Sequence, residues 1–135
     1  MAQHVAALAL LVRDYDEAIA WYTQVLGFEL LEDTPLDEPG KLGKRWVRVR
    51  PPGAQETALL LARAVDEDEF ASIGNQSGGR VFLFLHTDDF WGDYKAYSAR
   101  GVRWLREPVT QPYGTVAVFA DLYGNAWDLI GPAAA

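Results

Sequence analysis

Asp128 is a lone carboxylate inside the apolar run AWDLI near the end of the chain. A strand tolerates a charge there only where the side chain meets water, a ligand or a metal ion, because an unpaired buried carboxylate is costly. His86 closes another apolar run, VFLFLH. Imidazole moves protons near neutral pH, which makes His86 the candidate general base. The other histidine, His4, reads as a surface residue close to the N-terminus. Trp46 and Arg48 stand two apart in RWVRVR. An aromatic beside a guanidinium suits a planar or anionic ligand through stacking and bidentate hydrogen bonds, and the same pattern also keeps an edge strand soluble. With no cysteine there is no thiol nucleophile, thiolate metal site or disulfide.

Composition narrows the field. The 135 residues make one domain with room for a real core, 50% of them hydrophobic and 23% charged. A formal net charge of −7 argues against nucleic acid and anionic membranes as partners, since both select clustered cations. No run approaches the roughly 18 apolar residues of a membrane span. No basic segment followed by an apolar one opens the chain as a secretory signal would. A cytoplasmic protein with a small-molecule partner is the expectation.

The elements that must hold these residues recur twice. LLVRDYDEAIAWYTQVLGFELLED (10–33) and FLFLHTDDFWGDYKAYSARGVRWLREP (82–108) each run from an apolar strand through an aspartate and a helical pattern to a glycine and a second strand. One offset of 74 residues relates Asp14 to Asp88 and Gly27 to Gly101. Asp14 with Glu17 predicts a capped helix start, Ala18, Tyr22 and Val25 its apolar stripe, and Gly27 its stop. Asp88 or Asp89 starts the second helix and Gly101 ends it. Strands are predicted at 28–33, 45–50 and 57–63, then at 102–106, 113–120 and 125–130. DEDEFASIG (66–74) reads as a short capped helix and NQSGG as a flexible connector. The expected fold class is α+β: two tandem βαβββ units, about 1–65 and 80–131, joined by a connector at 66–79.

Alternation gives each strand two faces. Val47 and Val49, Val81, Leu83 and Leu85, and Val116 and Val118 are assigned to the helix side. Trp46, Arg48, Phe82, Phe84, His86 and Phe119 then share the opposite side, joined by Asp128 if Trp127 and Leu129 face the helices. Apolar walls with a few polar groups have the composition of a ligand-binding cleft.

The paired units, the helix DEAIAWYTQVLGF (16–28) and the ending DLYGNAWDLI (121–130) resemble the vicinal oxygen chelate superfamily. That group includes glyoxalase I, extradiol dioxygenases, fosfomycin-resistance enzymes and bleomycin-resistance proteins, and the resemblance covers nearly the whole chain. It implies a curved mixed sheet with the cleft on its concave side, Tyr113 near the cleft mouth, and a homodimer whose subunits share cleft walls. Metal-dependent members carry a histidine on the first strand of each unit and a carboxylate or glutamine on the fourth. The matching positions here are Ala7, Phe82, Leu59 or Leu60, and Asp128. One carboxylate falls short of the roughly three protein ligands a divalent ion needs, so no metal cofactor is expected. A replacement site would draw on His86, Asp128, Glu56 and His4. Two function classes follow. One is a binding protein of the bleomycin-resistance type, holding an aromatic or anionic ligand in a metal-free cleft. The other is a metal-dependent lyase, isomerase or dioxygenase built on His86 and Asp128. A metal-free enzyme with His86 as general base lies between them.

Overall fold

The computed structural model describes residues 1–132. The chain separates into two compact units, Met1–Ile73 and a second that begins at Gly74. In the first, β1 (Ala7–Val12) leads to α1 (Tyr15–Ala20), which continues as a π-helical turn (Trp21–Val25). β2 (Glu29–Pro35), β3 (Arg45–Arg50), β4 (Ala58–Arg63) and the short α2 (Glu67–Ser72) follow. The second unit contains β5 (Leu83–His86), α3 (Phe90–Ala99), β6 (Arg103–Gln111), β7 (Gly114–Ala120) and β8 (Ala126–Pro132). Each unit forms one four-stranded sheet, in the orders β1-β4-β3-β2 and β5-β8-β7-β6. The first and last strands of each unit pair in parallel and the remaining pairs are antiparallel. The α+β class and the repeated βαβββ order read from the sequence are both present.

Side-chain caps start the helices. Asp14 Oδ1 accepts from the Glu17 backbone N–H at 2.9 Å, and Asp89, not Asp88, accepts from Gly92 N–H at 3.1 Å. Both helical segments then stop at glycines in the left-handed region, Gly27 at φ 73° and Gly101 at φ 86°. The π-helical turn is a departure from the simple helix predicted. There the Leu26 N–H reaches back five residues to the Trp21 carbonyl, and the Thr23 hydroxyl donates to the Ile19 carbonyl at 2.7 Å. β6 also runs further than expected. Register shifts between Trp104 and Arg106 and between Arg106 and Val109 let the strand pass Pro108, a residue that sheets accept at bulges.

The DLYGN segment is a turn held by two buried polar side chains. Asp121 and Asn125 are only 5% and 3% exposed. Asp121 Oδ1 accepts from the backbone N–H groups of Tyr123 (3.0 Å) and Asn125 (2.9 Å), while Oδ2 accepts from Asn125 Nδ2 (2.9 Å). Asn125 Oδ1 in turn accepts from Gln76 N–H at 2.9 Å. These bonds engage the polar side chains of Asp121 and Asn125 in holding the turn.

The cores lie on the helix side of each sheet. In the first unit Leu10, Val12, Val47, Val49 and Leu61 are buried together with Tyr22, and α1 packs on β3 and β4. In the second unit Ala117, Phe119, Trp127 and Leu129 are buried. The assignment of Phe119 to a ligand-binding face is therefore corrected. Register pairs Phe119 with Trp127 and Ala117 with Leu129, so all four share one side. The Phe119 ring stacks on Trp127 at 5.8 Å and meets Tyr97 of α3 edge-on at 5.7 Å. Val116 and Val118 take the other face, half-buried. Both faces of VAVFA are apolar, so alternation alone could not choose between them.

α3 rests on β8 at Gly131, where a Cβ would lie 2.5 Å from the Cβ of Phe90. Gly131→Ala is expected to lower the unfolding free energy by about 1–3 kcal/mol through overpacking. An unchanged urea midpoint for the variant would show that α3 does not bear on this position.

Candidate functional site

A cavity of about 620 Å³ lies in the first unit, walled by the ends of β3 and β4 and by the connection between β2 and β3. Its size is that of a small-molecule site. Strand alternation brings Trp46 and Leu60 to it from the sheet face opposite α1, and Trp46 is 37% exposed. Tyr15, Arg45 and Arg63 reach it from the helix side. Tyr15 directly follows the cap at Asp14, so the first turn of α1 sets its buried ring over the strand ends. Its hydroxyl oxygen accepts from the Arg45 backbone N–H at 3.2 Å. The guanidinium carbons of Arg45 and Arg63 lie 5.1 and 5.2 Å from the ring centroid, within cation–π range. Arg63 Nη2 also donates to the Leu42 carbonyl at 3.4 Å, linking β4 to the β2–β3 connection.

Two of the four basic residues in the wall, Arg45 and Lys41, already have anions. Arg45 forks onto Asp33 (Nε–Oδ1 3.0 Å, Nη2–Oδ2 2.6 Å) and reaches Asp16 at 2.9 Å. The hydrogen bond from Arg45 holds the Asp33 carboxyl below its ordinary range, and the Asp33 carboxylate raises Arg45 in turn. Lys41 pairs with Glu38 at 3.3 Å. Arg48 Nε donates to Glu32 Oε1 at 3.0 Å, and Arg50 approaches Glu29 at 3.5 Å. Arg48, singled out with Trp46, is thus half of a cross-strand ion pair and is not in the cavity wall. Tyr15, Arg63 and Lys44 are among the lining residues that sequence reasoning missed, as are Lys41, Arg45 and Glu69. A signal for Arg63 exists: it closes ALLLAR in phase with the buried Leu59 and Leu61, an unusual place for a charge.

In the second unit Asp128 pairs with Phe84 on one side and Val118 on the other, and Arg106 lies opposite Val118. Phe84 is 61% exposed, and His86, two residues along the same face, is exposed. Burial raises the Asp128 pKa above the ordinary carboxylate value, and the charge of Arg106 opposes that rise. Phe82 precedes β5 and turns its ring edge-on to Trp127 at 6.1 Å. Tyr113 sits at the exposed tip of the β6–β7 hairpin. At ~3.3 Å per residue it is more than about 13 Å along the strand from the Asp128 row, so the two are not brought together.

The matching metal positions can now be fixed within each unit. Leu60 pairs with Ala9 and Arg48 as Asp128 pairs with Phe84 and Val118, so Leu60 is the counterpart of Asp128. Leu59 is buried on the helix side. Ala7, Leu60, Phe82 and Asp128 offer a divalent ion one oxygen donor between them, and they do not fit it. His4 and Glu56 are exposed residues of the first unit, while His86 and Asp128 belong to the second. Among the described residues no three His, Cys, Asp or Glu side chains gather where they could hold an ion.

The sequence profile of the Glyoxalase/Bleomycin resistance protein/Dioxygenase superfamily matches residues 3–129. The chain belongs to this superfamily. An uncharacterised protein of Shewanella frigidimarina (strain NCIMB 400) is 55% identical over 130 residues, which cover 96% of this chain and 94% of that relative. Among solved structures of the superfamily's fold, UcmS2 is 31% identical over 96% of this chain and 98% of its own, with a TM-score of 0.81. TnmS3, an antibiotic binding protein from Streptomyces sp. CB03234, is 31% identical over 98% of both chains with a TM-score of 0.75.

The raised pKa of Asp128 has a signed consequence. The folded state binds its proton more tightly than the unfolded state, so stability is lost as pH rises through the folded pKa. Asp128→Asn removes the disfavoured charge. It is expected to be more stable than the wild type at pH 7, with the advantage shrinking as pH falls through the carboxylate range. Urea unfolding between pH 3 and pH 7 checks this; a stability difference that does not vary with pH would contradict it.

Proposed function

We propose that this superfamily member is a small-molecule-binding protein of the glyoxalase/bleomycin-resistance type, holding an aromatic or anionic ligand without the family's metal ion. The carrying observation is the cavity of about 620 Å³ in the first unit, with the half-exposed Trp46 ring and Leu60 in its wall. Leu60 stands where a metal-dependent relative would need an oxygen donor. Sequestration needs shape, apolar area and a stacking surface, and no reacting group. The likeness to TnmS3, an antibiotic binding protein, supports the same class.

A metal-dependent lyase, isomerase or dioxygenase is the second reading. Its one favourable observation is that Asp128 and His86 share a face of the second sheet. The proposal also includes a homodimer, for which the exposed Phe84, Leu105 and Val109 of the second unit are the support. Sedimentation is expected to give twice the 15.0 kDa chain mass, and a monomer throughout the micromolar range would remove the dimer.

Trp46→Ala is expected to weaken binding of a naphthalene-class ligand about tenfold, the loss of one stacking contact, with the melting temperature unchanged. Dialysis against EDTA is expected to leave that affinity unaltered. Protein purified with one equivalent of metal, lost in Asp128→Asn, would overturn the binding reading and establish the enzyme.

A further inference from the structure

The cavity wall is cationic in a chain whose net charge is −7. Lys41, Lys44, Arg45 and Arg63 line it against a single carboxylate, Glu69. Arg45 is engaged by Asp33 and Asp16, and Lys41 by Glu38. Glu69 accepts from the Val65 backbone N–H at 3.3 Å. Among the described residues, Lys44 and Arg63 form no ion pair.

Arg63 is not a solvated surface arginine. It is half-buried, its guanidinium lies over the Tyr15 ring, and one Nη donates to the Leu42 carbonyl. A Cβ on Gly43 would come 3.2 Å from that same nitrogen, so the β2–β3 connection lies directly against the fork. An arginine has five N–H donors in a rigid plane, and here a ring and a carbonyl fix that plane before any ligand arrives. The cations of the wall outnumber its one carboxylate, Glu69, and Lys44 and Arg63 are the two left without an ion pair among the described residues. We infer that it selects a planar aromatic ligand bearing an anionic group, such as a carboxylate, phenolate or sulfonate. The anion is received by Arg63 and Lys44, and the rings lie against Trp46 and Leu60. This inference rests on the reading of the cavity as a binding site.

The test uses 2-naphthoate and 2-naphthamide, which share a ring system and differ in charge, titrated calorimetrically into the full chain. The naphthoate is expected to bind about tenfold more tightly, the worth of one charge-assisted hydrogen bond, and its affinity is expected to fall with added salt. Arg63→Met is expected to erase the preference without weakening the naphthamide. Lys44→Met, in a connection rather than the core, is expected to reduce it and carries the test if Arg63→Met loses its fold. Glu69→Gln is expected to strengthen the naphthoate alone. Equal binding of both compounds, unmoved by Lys44→Met, would overturn the charge selection and leave the binding function standing. Binding of neither would overturn both.

Discussion

Each sheet has four strands and one helix of any length beside it, and a pleated strand sends successive side chains to opposite faces. A helix can cover only one of those faces. Everything else about the two units follows from that constraint. The covered face is where Val47, Val49, Leu61, Phe119, Trp127 and Leu129 lose their exposure. The other face keeps Trp46, Phe84 and Asp128 at least partly open. A charge in phase with the covered face is tolerable only at the end of a strand. Arg45 and Arg63 stand at such ends, where the first turn of α1 supplies the Tyr15 ring to receive them. The cavity wall arises from that meeting of strand ends, helix start and connecting loop.

Charge in the first unit is distributed by register. The shift between Leu30 and Glu32 sets Glu32 opposite Arg48, and Glu29 falls opposite Arg50. Singly, such exposed pairs contribute little to stability. Their consequence is chemical: they engage the arginines of β3 and leave the one at the end of β4 with an aromatic ring and a carbonyl. In the second unit the corresponding row holds Asp128, whose pKa is raised by burial against the opposing charge of Arg106.

The repeat, the caps and the sheet faces of β3 and β8 were legible because each depends on neighbours in sequence. Asp14 accepts from the backbone N–H of Glu17, three residues on, and Val47 alternates with Trp46 whatever the rest of the chain does. Phe119 was misread because VAVFA is apolar on both sides, and only pairing with Trp127 decides its face. The ion pair of Arg48 was hidden by the bulge in β2. Arg63, Tyr15 and Lys44 come together through a connection of irregular backbone, whose course no periodicity describes. The DLYGNAWDLI ending carries part of the family resemblance, and Asp121 and Asn125 within it hold a turn.

The central claim is that the first-unit cavity holds a small aromatic molecule without a metal ion. An ¹H–¹⁵N correlation spectrum recorded during titration with 2-naphthoate, in the presence of EDTA, tests it most directly. A ligand seated in the cavity shifts the Trp46 indole, the Arg63 Nε–H and the backbone of Leu42 to Trp46, while Trp91 and Asp128 stay fixed. Shifts centred on Phe84, His86 and Asp128, or no shifts at all until EDTA is left out, would contradict it.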